Sequence, residues 1–173
     1  MSIDYETCAW CPRLCRHVCP VAVATGREAA TPTSMMTIAL LAQRGSVSAE
    51  LAAASASLCL SCGACTQHCK VGVPVAARLG RPDPGLVRPA VVSAFLTFQV
   101  CGTEGPPGPH QLACCGRRDG FAEREPEAAR QVAEENVRRL DGREVRCADA
   151  ECASWLRAHG ARVVEPGRTD VAE

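Results

Sequence analysis

The residues of this chain best suited to chemistry are cysteines, and most of them lie in two short groups near its start. The first group, within twelve residues, consists of Cys8, Cys11, Cys15 and Cys19. The second group consists of Cys59, Cys62, Cys65 and Cys69. Reduced thiolates bind metals, and the gaps within each group are only two or three residues. Each short segment can therefore present several ligands to one metal centre.

The alternative use of so many cysteines is a set of disulfides, which is typical of small secreted proteins. The thirteen cysteines are an odd number, so a closed set of disulfides cannot use them all. The N-terminal segment carries Asp4 and Glu6 and has neither the basic start nor the apolar centre of a signal peptide. No stretch of about 18 apolar residues is present, so no membrane span is expected. We therefore expect a cytoplasmic protein with reduced thiols, which associates with a membrane only through a partner.

The spacing within the groups favours iron–sulfur clusters. The second group is spaced C-x2-C-x2-C-x3-C, which matches the bacterial 4Fe–4S run, whose fourth cysteine ligates the other cluster in two-cluster ferredoxins. The first group has one extra residue in its second gap and is followed by Pro20. We predict two 4Fe–4S clusters with crossed ligation, one on Cys8, Cys11, Cys15 and Cys69. The other is predicted on Cys59, Cys62, Cys65 and Cys19. The alternative is a pair of zinc sites, although zinc usually takes its thiolates from two separated C-x2-C pairs.

Two helices are predicted in the 39 residues between the groups. The first has Thr31 as its N-cap, Pro32 in its first turn and Gly45 as its stop. The second has Ser48 as its N-cap and an expected buried stripe of Leu51, Ser55 and Leu58. Gly63 is expected to permit a tight backbone turn within the second cysteine group. Helices must therefore bring the two groups together.

This order of motifs and helices resembles the alpha-helical ferredoxin domain of succinate dehydrogenase iron–sulfur subunits and of heterodisulfide reductase C/D-like iron–sulfur subunits. The resemblance implies a mainly α ferredoxin domain over residues 1–79 that holds two 4Fe–4S clusters. Residues 80–91 are rich in glycine and proline and are predicted to be a linker.

Residues 92–173 are predicted to form a small α/β domain. An apolar, β-rich segment ends at Cys101, and an amphipathic helix is expected over residues 125–140. Its apolar face consists of Ala129, Val132, Ala133, Val137 and Leu140. A strand reaching Cys147, a short helix over residues 150–160 and a last strand over residues 161–166 complete the pattern. Strands that alternate with helices predict a parallel sheet.

The "ACCG" segment of this half resembles the cysteine-rich CCG domain of heterodisulfide reductase, glycolate oxidase and lactate-utilisation iron–sulfur subunits. The thiols that correspond to the pattern are Cys101, Cys114, Cys115, Cys147 and Cys152. Only twelve residues separate the first two of these, and the last two are spaced C-x4-C, so the domain is a shortened version. The resemblance implies a third iron–sulfur cluster here. Zinc, or cysteines that pack as small hydrophobic residues, are the alternatives.

Charge and motifs limit the function further. Nineteen basic and nineteen acidic side chains cancel, and only 3% of residues are aromatic, so nucleic acid is not an expected partner. No dinucleotide-binding or phosphate-binding glycine motif occurs. We therefore expect an electron-transfer subunit that works with a flavoprotein or a heterodisulfide-reductase-like subunit and passes electrons to a quinone or a disulfide. The alternatives are a catalytic subunit with its active cluster at the CCG site, and a zinc-stabilised interaction module.

Five polar residues near the motifs have an open role. They are Arg13, Arg16, His17, His68 and Lys70. Four cysteines per motif leave no vacancy for a histidine ligand. Surface positions are expected for Arg13, Arg16 and Lys70, and positive charge that offsets a negative cluster is the alternative for them. His17 and His68 are expected to lie around a cluster or at the surface.

Overall fold

The computed structural model describes residues 3–12, 15–81, 97–100, 111–112, 114–147 and 149–164. Cys101, Arg13 and all but the first two residues of the predicted linker at 80–91 lie outside these ranges, as do residues 165–166 of the last predicted strand. Side chains are described for these ranges except at 97–100, 111–112 and 119.

The N-terminal half is helical. Its α-helices are α1 (Ile3–Trp10), α2 (Pro20–Thr25), α3 (Pro32–Gln43), α4 (Ala49–Ser57), α5 (Ala64–His68) and α6 (Val75–Arg78). The predicted helices between the motifs are confirmed as α3 and α4, and both predicted caps are present. The hydroxyls of Thr31 and Ser48 each accept a hydrogen bond, at 3.2 Å, from the backbone N–H three residues further on. Pro20 begins α2 in the same way that Pro32 begins α3, because a helix leaves its first N–H groups without partners.

The predicted stripe on α4 is only partly correct. Ser55 and Leu58 are buried, whereas Leu51 is 50% exposed. Leu51 is the N3 residue of this helix, and its backbone is held by the Ser48 cap rather than by packing of its side chain. The short helix leaves only its second half against the core.

Helix α1 connects the start of the chain to the segment after the second cysteine group. Tyr5 packs with Met36 and Leu40 of α3 in one hydrophobic cluster. Its hydroxyl donates a 2.5 Å hydrogen bond to the backbone oxygen of Arg78 in α6. The Arg78 guanidinium in turn donates to a carboxylate oxygen of Asp4 at 2.5 Å. Cys8, Cys65 and Cys69 pack against the same cluster, so thiols of both cysteine groups lie beside α3.

The C-terminal half is a small α/β unit. Its strands are β1 (Thr97–Val100), β2 (Gln111–Leu112), β3 (Glu144–Cys147) and β4 (Arg162–Val164), and its helices are α7 (Phe121–Arg124), α8 (Pro126–Leu140) and α9 (Ala150–Ala158). The strands lie in the order β2-β1-β3-β4, and every neighbouring pair is parallel. The predicted fold class, a mainly α region followed by a small α/β unit, is confirmed. Strand β2 is an element that the sequence pattern did not predict.

The two halves share a hydrophobic core between α2 and α8. Val21 and Ala22 of α2 belong to the same buried cluster as Ala128, Ala129 and Val132 of α8. Full burial of one valine contributes about 1.5–3 kcal/mol. This contact matters for the site because α2 begins directly after Cys19.

Among the helices of the described ranges, none is long and apolar enough to cross a membrane.

Candidate metal centre

Four thiols from both cysteine groups line one cavity beside α3. The cavity contains about 350 Å³ of empty space, part of it open to solvent, and its thiols are Cys19, Cys59, Cys62 and Cys65. The walls between them are mostly apolar and include Pro32, Met35, Leu60, Val75 and Ala76. The first group therefore contributes one thiol to a cavity that the second group otherwise supplies.

The backbone of the second group turns sharply around this cavity. Ser61 has a φ of 54° and Gly63 a φ of 72°, so two residues within three adopt the left-handed conformation. Gly63 carries no Cβ and adopts it at little cost, as the sequence predicted. This turn allows Cys59, Cys62 and Cys65 to line the same cavity.

Burial dominates the electrostatics of these thiols. It raises the pKa of Cys19 to about 11, while hydrogen bonds from the backbone N–H groups of Ala22 and Val21 partly lower it, and nearby Cys59 raises it again. Burial also raises the pKa of Cys65 well above its ordinary value, and Cys62 and Cys19 raise it further. Without a bound metal, Cys19 and Cys65 are therefore neutral thiols at physiological pH.

The remaining four thiols interact with one another. Burial, followed by the charges of Cys15, Cys69 and Cys11, raises the pKa of Cys8 to about 12. Burial also raises the pKa of Cys15, and this effect is partly offset by a contact of 4.0 Å between its Sγ and Thr33 Oγ1. The electrostatic neighbours of Cys8 thus include a thiol from the second group, Cys69.

Cys19 shares its cavity with three thiols of the second group, and Cys69 is an electrostatic neighbour of Cys8, as crossed ligation would require. Ligation itself stays a prediction. In the described part of the chain, no three His, Cys, Asp or Glu side chains are gathered closely enough for a single metal ion. One zinc ion holds all its thiolates about 2.3 Å away, whereas a 4Fe–4S cluster has one ligand on each of four irons and so spreads them wider.

One polar atom supports a fit to such a cluster. Ser61 lines this cavity, and its buried Oγ has no hydrogen-bond partner among the residues that the structure describes. A buried hydroxyl without a partner costs about 1–3 kcal/mol. Inorganic sulfur and thiolate sulfur of a cluster are acceptors that such a hydroxyl can use.

The polar residues near the motifs lie at the surface. His17 and His68 are exposed, and their rings meet edge to face with centroids 4.8 Å apart. Arg16 forms a surface ion pair with Glu28 at 2.8 Å, and Lys70 is exposed. These positions agree with the surface interpretation of the four described residues. The contact between the two histidines was not predicted, because it joins residues from different motifs.

The CCG segment separates its two adjacent cysteines. Cys114 is buried in the core that joins the two halves, whereas Cys115 is buried with Cys147 and Cys152 in a second hydrophobic cluster. The Sγ atoms of Cys115 and Cys152 lie 2.9 Å apart. The structure therefore brings together three of the five predicted thiols and places Cys114 in a different cluster, while Cys101 lies outside the described ranges. None of the twelve described cysteines forms a disulfide.

Two side chains that the sequence analysis did not single out hold the CCG segment. Asn136 of α8, which is buried, donates a 2.7 Å hydrogen bond to the backbone oxygen of Cys114. Trp155 of α9 donates to the backbone oxygen of Cys115 at 3.0 Å. The available signal was Asn136 itself, since an amide beside the apolar face of an amphipathic helix needs a buried partner.

A comparison with known families supports an iron–sulfur, ferredoxin-like class of protein. Residues 4–73 match the family model described as a 4Fe-4S dicluster domain, and this range includes all eight cysteines of the two groups. No curated protein and no solved structure matches the chain. The family match supports an iron–sulfur protein with a role in electron transfer.

Proposed function

We propose that this protein is an electron-transfer subunit that relays single electrons through two 4Fe–4S clusters, between a partner redox subunit and an acceptor. The observation that carries this proposal is the convergence of the eight N-terminal thiols into two sets, each drawn from both motifs. When bound, each cluster accepts and releases one electron at a time. The match of residues 4–73 supports the same chemistry.

The chain's own residues hold the two sites side by side. Cys15 belongs to one set and Cys19 to the other, and only three residues separate them. The same is true of Cys65 and Cys69. Cys15 is also close enough to Cys19 and Cys65 to raise the pKa of both thiols. A short distance between redox centres favours rapid transfer, and the apolar walls of the cavity limit contact between its thiols and water.

A partner must supply the ends of this relay. We propose a flavoprotein or a heterodisulfide-reductase-like subunit in the cytoplasm, because the chain has no dinucleotide-binding motif and its thiols need a reducing compartment. The finer relationship that we propose is to heterodisulfide reductase C/D-like subunits. It rests on the order of the two cluster motifs and the CCG segment.

Metal analysis of anaerobically purified protein tests the proposal. About eight irons and a similar amount of acid-labile sulfide are expected per chain. A double variant that carries both Cys8→Ala and Cys59→Ala is the matched control and should lose most of the iron. Zinc with negligible iron in the unmodified protein would instead indicate the zinc-stabilised interaction module.

A second candidate function is catalysis at the CCG site. The observation that favours it is the grouping of Cys115, Cys147 and Cys152 in one buried cluster. About twelve irons per chain would indicate a third cluster of the cubane type at that site. A paired Cys114→Ser and Cys115→Ser variant separates the two functions. Loss of thiol–disulfide turnover in the assembled complex, with both N-terminal clusters still reducible, would establish catalysis there.

A further inference from the structure

Ser61 is a buried polar residue of the second motif whose hydroxyl makes no hydrogen bond within the described part of the protein. It is 1% exposed, and its Oγ has no hydrogen-bond partner in the part of the chain that the structure describes. It lies between Leu60 and Cys62 and lines the four-thiol cavity. Burial of a hydroxyl is unfavourable unless something accepts its proton.

The backbone at Ser61 makes its side chain harder to explain by folding alone. Its φ of 54° is a conformation that glycine adopts most easily, and most other residues are strained there. Glycine at this position would relieve that strain and remove the unpaired hydroxyl. A serine that tolerates both penalties beside four thiols points to a ligand in the cavity as its partner.

We propose that Ser61 Oγ donates a hydrogen bond to a sulfur atom of the cluster held by Cys19, Cys59, Cys62 and Cys65, and thereby makes this cluster the more easily reduced of the two. The inference rests on the proposed function. Reduction adds negative charge to the cluster, and a hydrogen bond to sulfur stabilises the more negative state. The reduction potential of the cluster therefore rises.

The first motif contains no serine or threonine that could take the part of Ser61. Ser61 directly precedes Cys62, the second cysteine of its motif, and the residue in the same position of the first motif is Trp10. Trp10 is 85% exposed, so its side chain is directed to solvent. Among the described residues, the Thr33 hydroxyl lies beside the other thiol set, with its Oγ1 4.0 Å from Cys15 Sγ, at the limit of a hydrogen bond to sulfur. The two clusters thus differ in their hydrogen bonds, and the electron is held preferentially at the Ser61 site.

The test compares Ser61→Ala and Ser61→Gly with the unmodified full chain, purified anaerobically with its clusters. A redox titration followed by electron paramagnetic resonance resolves the two potentials. Both variants are expected to lower the reduction potential of one cluster by roughly 59 mV, which is about a tenfold change in its reduced-to-oxidised ratio at a fixed solution potential. The potential of the other cluster should stay unchanged. Ser61→Gly keeps the experiment informative if alanine is strained at this backbone position.

Ser55→Ala is the matched control. Ser55 is also buried, and its Oγ also lacks a partner among the described residues, but it does not line the cavity. It should leave both potentials unchanged. Pulsed resonance measurements after transfer to heavy water give a second readout, because an exchangeable deuteron at the Ser61 cluster should disappear in both Ser61 variants.

The results separate this inference from the proposed function. Unmodified protein without iron would reject both. Fully loaded Ser61 variants with unchanged potentials and an unchanged deuteron signal would reject the hydrogen bond and leave the relay intact. Loss of iron from both variants, with normal helix content, would also overturn the inference, because Ser61 would then retain the cluster rather than set its potential.

Discussion

The surroundings of the N-terminal thiols oppose the charge that metal ligation needs. Burial raises the pKa of Cys8, Cys15, Cys19 and Cys65, so each prefers to be a neutral thiol in the metal-free protein. A bound metal centre must displace those protons, and its binding is therefore favoured as the pH rises. The same burial that disfavours the empty thiolates shields the loaded site from water.

Single substitutions of the exchanged cysteines test the crossed arrangement. Cys69→Ala should perturb the same resonance signal as Cys8→Ala, because the charges of Cys15, Cys69 and Cys11 all act on Cys8. Cys19→Ala should instead perturb the signal that Cys59→Ala perturbs, since those two thiols line one cavity. The measurement is electron paramagnetic resonance of the four reduced variants. If Cys69→Ala paired with Cys59→Ala, each motif would hold its own cluster.

The elements that support the site differ in how far their positions depend on distant contacts. Helices α3 and α4 depend on local contacts, because each begins directly after a capping residue, Thr31 or Ser48. Both helices could therefore be predicted from the sequence. The side chains of adjacent cysteines such as Cys114 and Cys115 normally diverge, but the hydrophobic cluster that each one enters could not be predicted, because it depends on which side of α8 each cysteine meets. The contacts that hold this segment come from residues distant in sequence, namely Asn136, Trp155 and the backbone of Ala129.

The turn after the CCG cysteines is expected to tolerate no side chain. Gly116 has a φ of +103°, and a Cβ there would lie 2.9 Å from the backbone oxygen of Ala129 in α8. Gly116→Ala should destabilise the protein by about 2–4 kcal/mol, since backbone strain and overpacking add. The measurement is equilibrium unfolding in urea.

Gly142→Ala is the control for this prediction. Gly142 also has a positive φ, +75°, but apart from its chain neighbours no atom of the described residues lies within 4 Å of the Cβ position. Only the strain should remain, at about 1 kcal/mol. Equal losses in the two variants would mean that the contact with α8 contributes nothing.

At the scale of the whole molecule, the sequence identified the order of the two regions and the parallel sheet. Local spacing alone predicts the eight N-terminal thiols as ligands, because three ligands of each predicted centre come from one short segment with fixed gaps. The core shared by α2 and α8 was not predicted, since the apolar residues of both helices are compatible with many partners. The unpaired hydroxyl of Ser61 also required the structure, because burial is a property of the assembled fold.

The metal-free molecule should lose stability in alkaline solution. The thiols ionise at an ordinary pKa of 9.0 when the chain is unfolded, whereas folding raises the pKa of Cys19 to about 11 and that of Cys8 to about 12. Between these values the unfolded chain releases protons that the folded chain retains. The stability that these two thiols contribute to the folded state is therefore fully present below pH 9 and is lost as the pH rises toward 12. Urea midpoints of the reduced, metal-free protein at pH 8 and pH 10 measure the change.

Cys19→Ser is the matched variant for this measurement, because it removes one of the shifted thiols and keeps the side chain small and polar. Its urea midpoint should fall less steeply between the two pH values. An identical slope in the variant would show that Cys19 does not contribute to the alkaline loss.

The packing of α2 against α8 has a consequence for how the protein is made. All eight N-terminal cysteines leave the ribosome before residue 70, but the α8 residues that cover α2 begin only at Pro126. Cys19 directly precedes α2, so its position is completed only when this much later segment has been synthesised. Delivery of iron and sulfide to the cavity lined by Cys19 is therefore expected to follow synthesis of most of the chain. A truncated nascent chain would present its thiols without the surface that holds one of them in place.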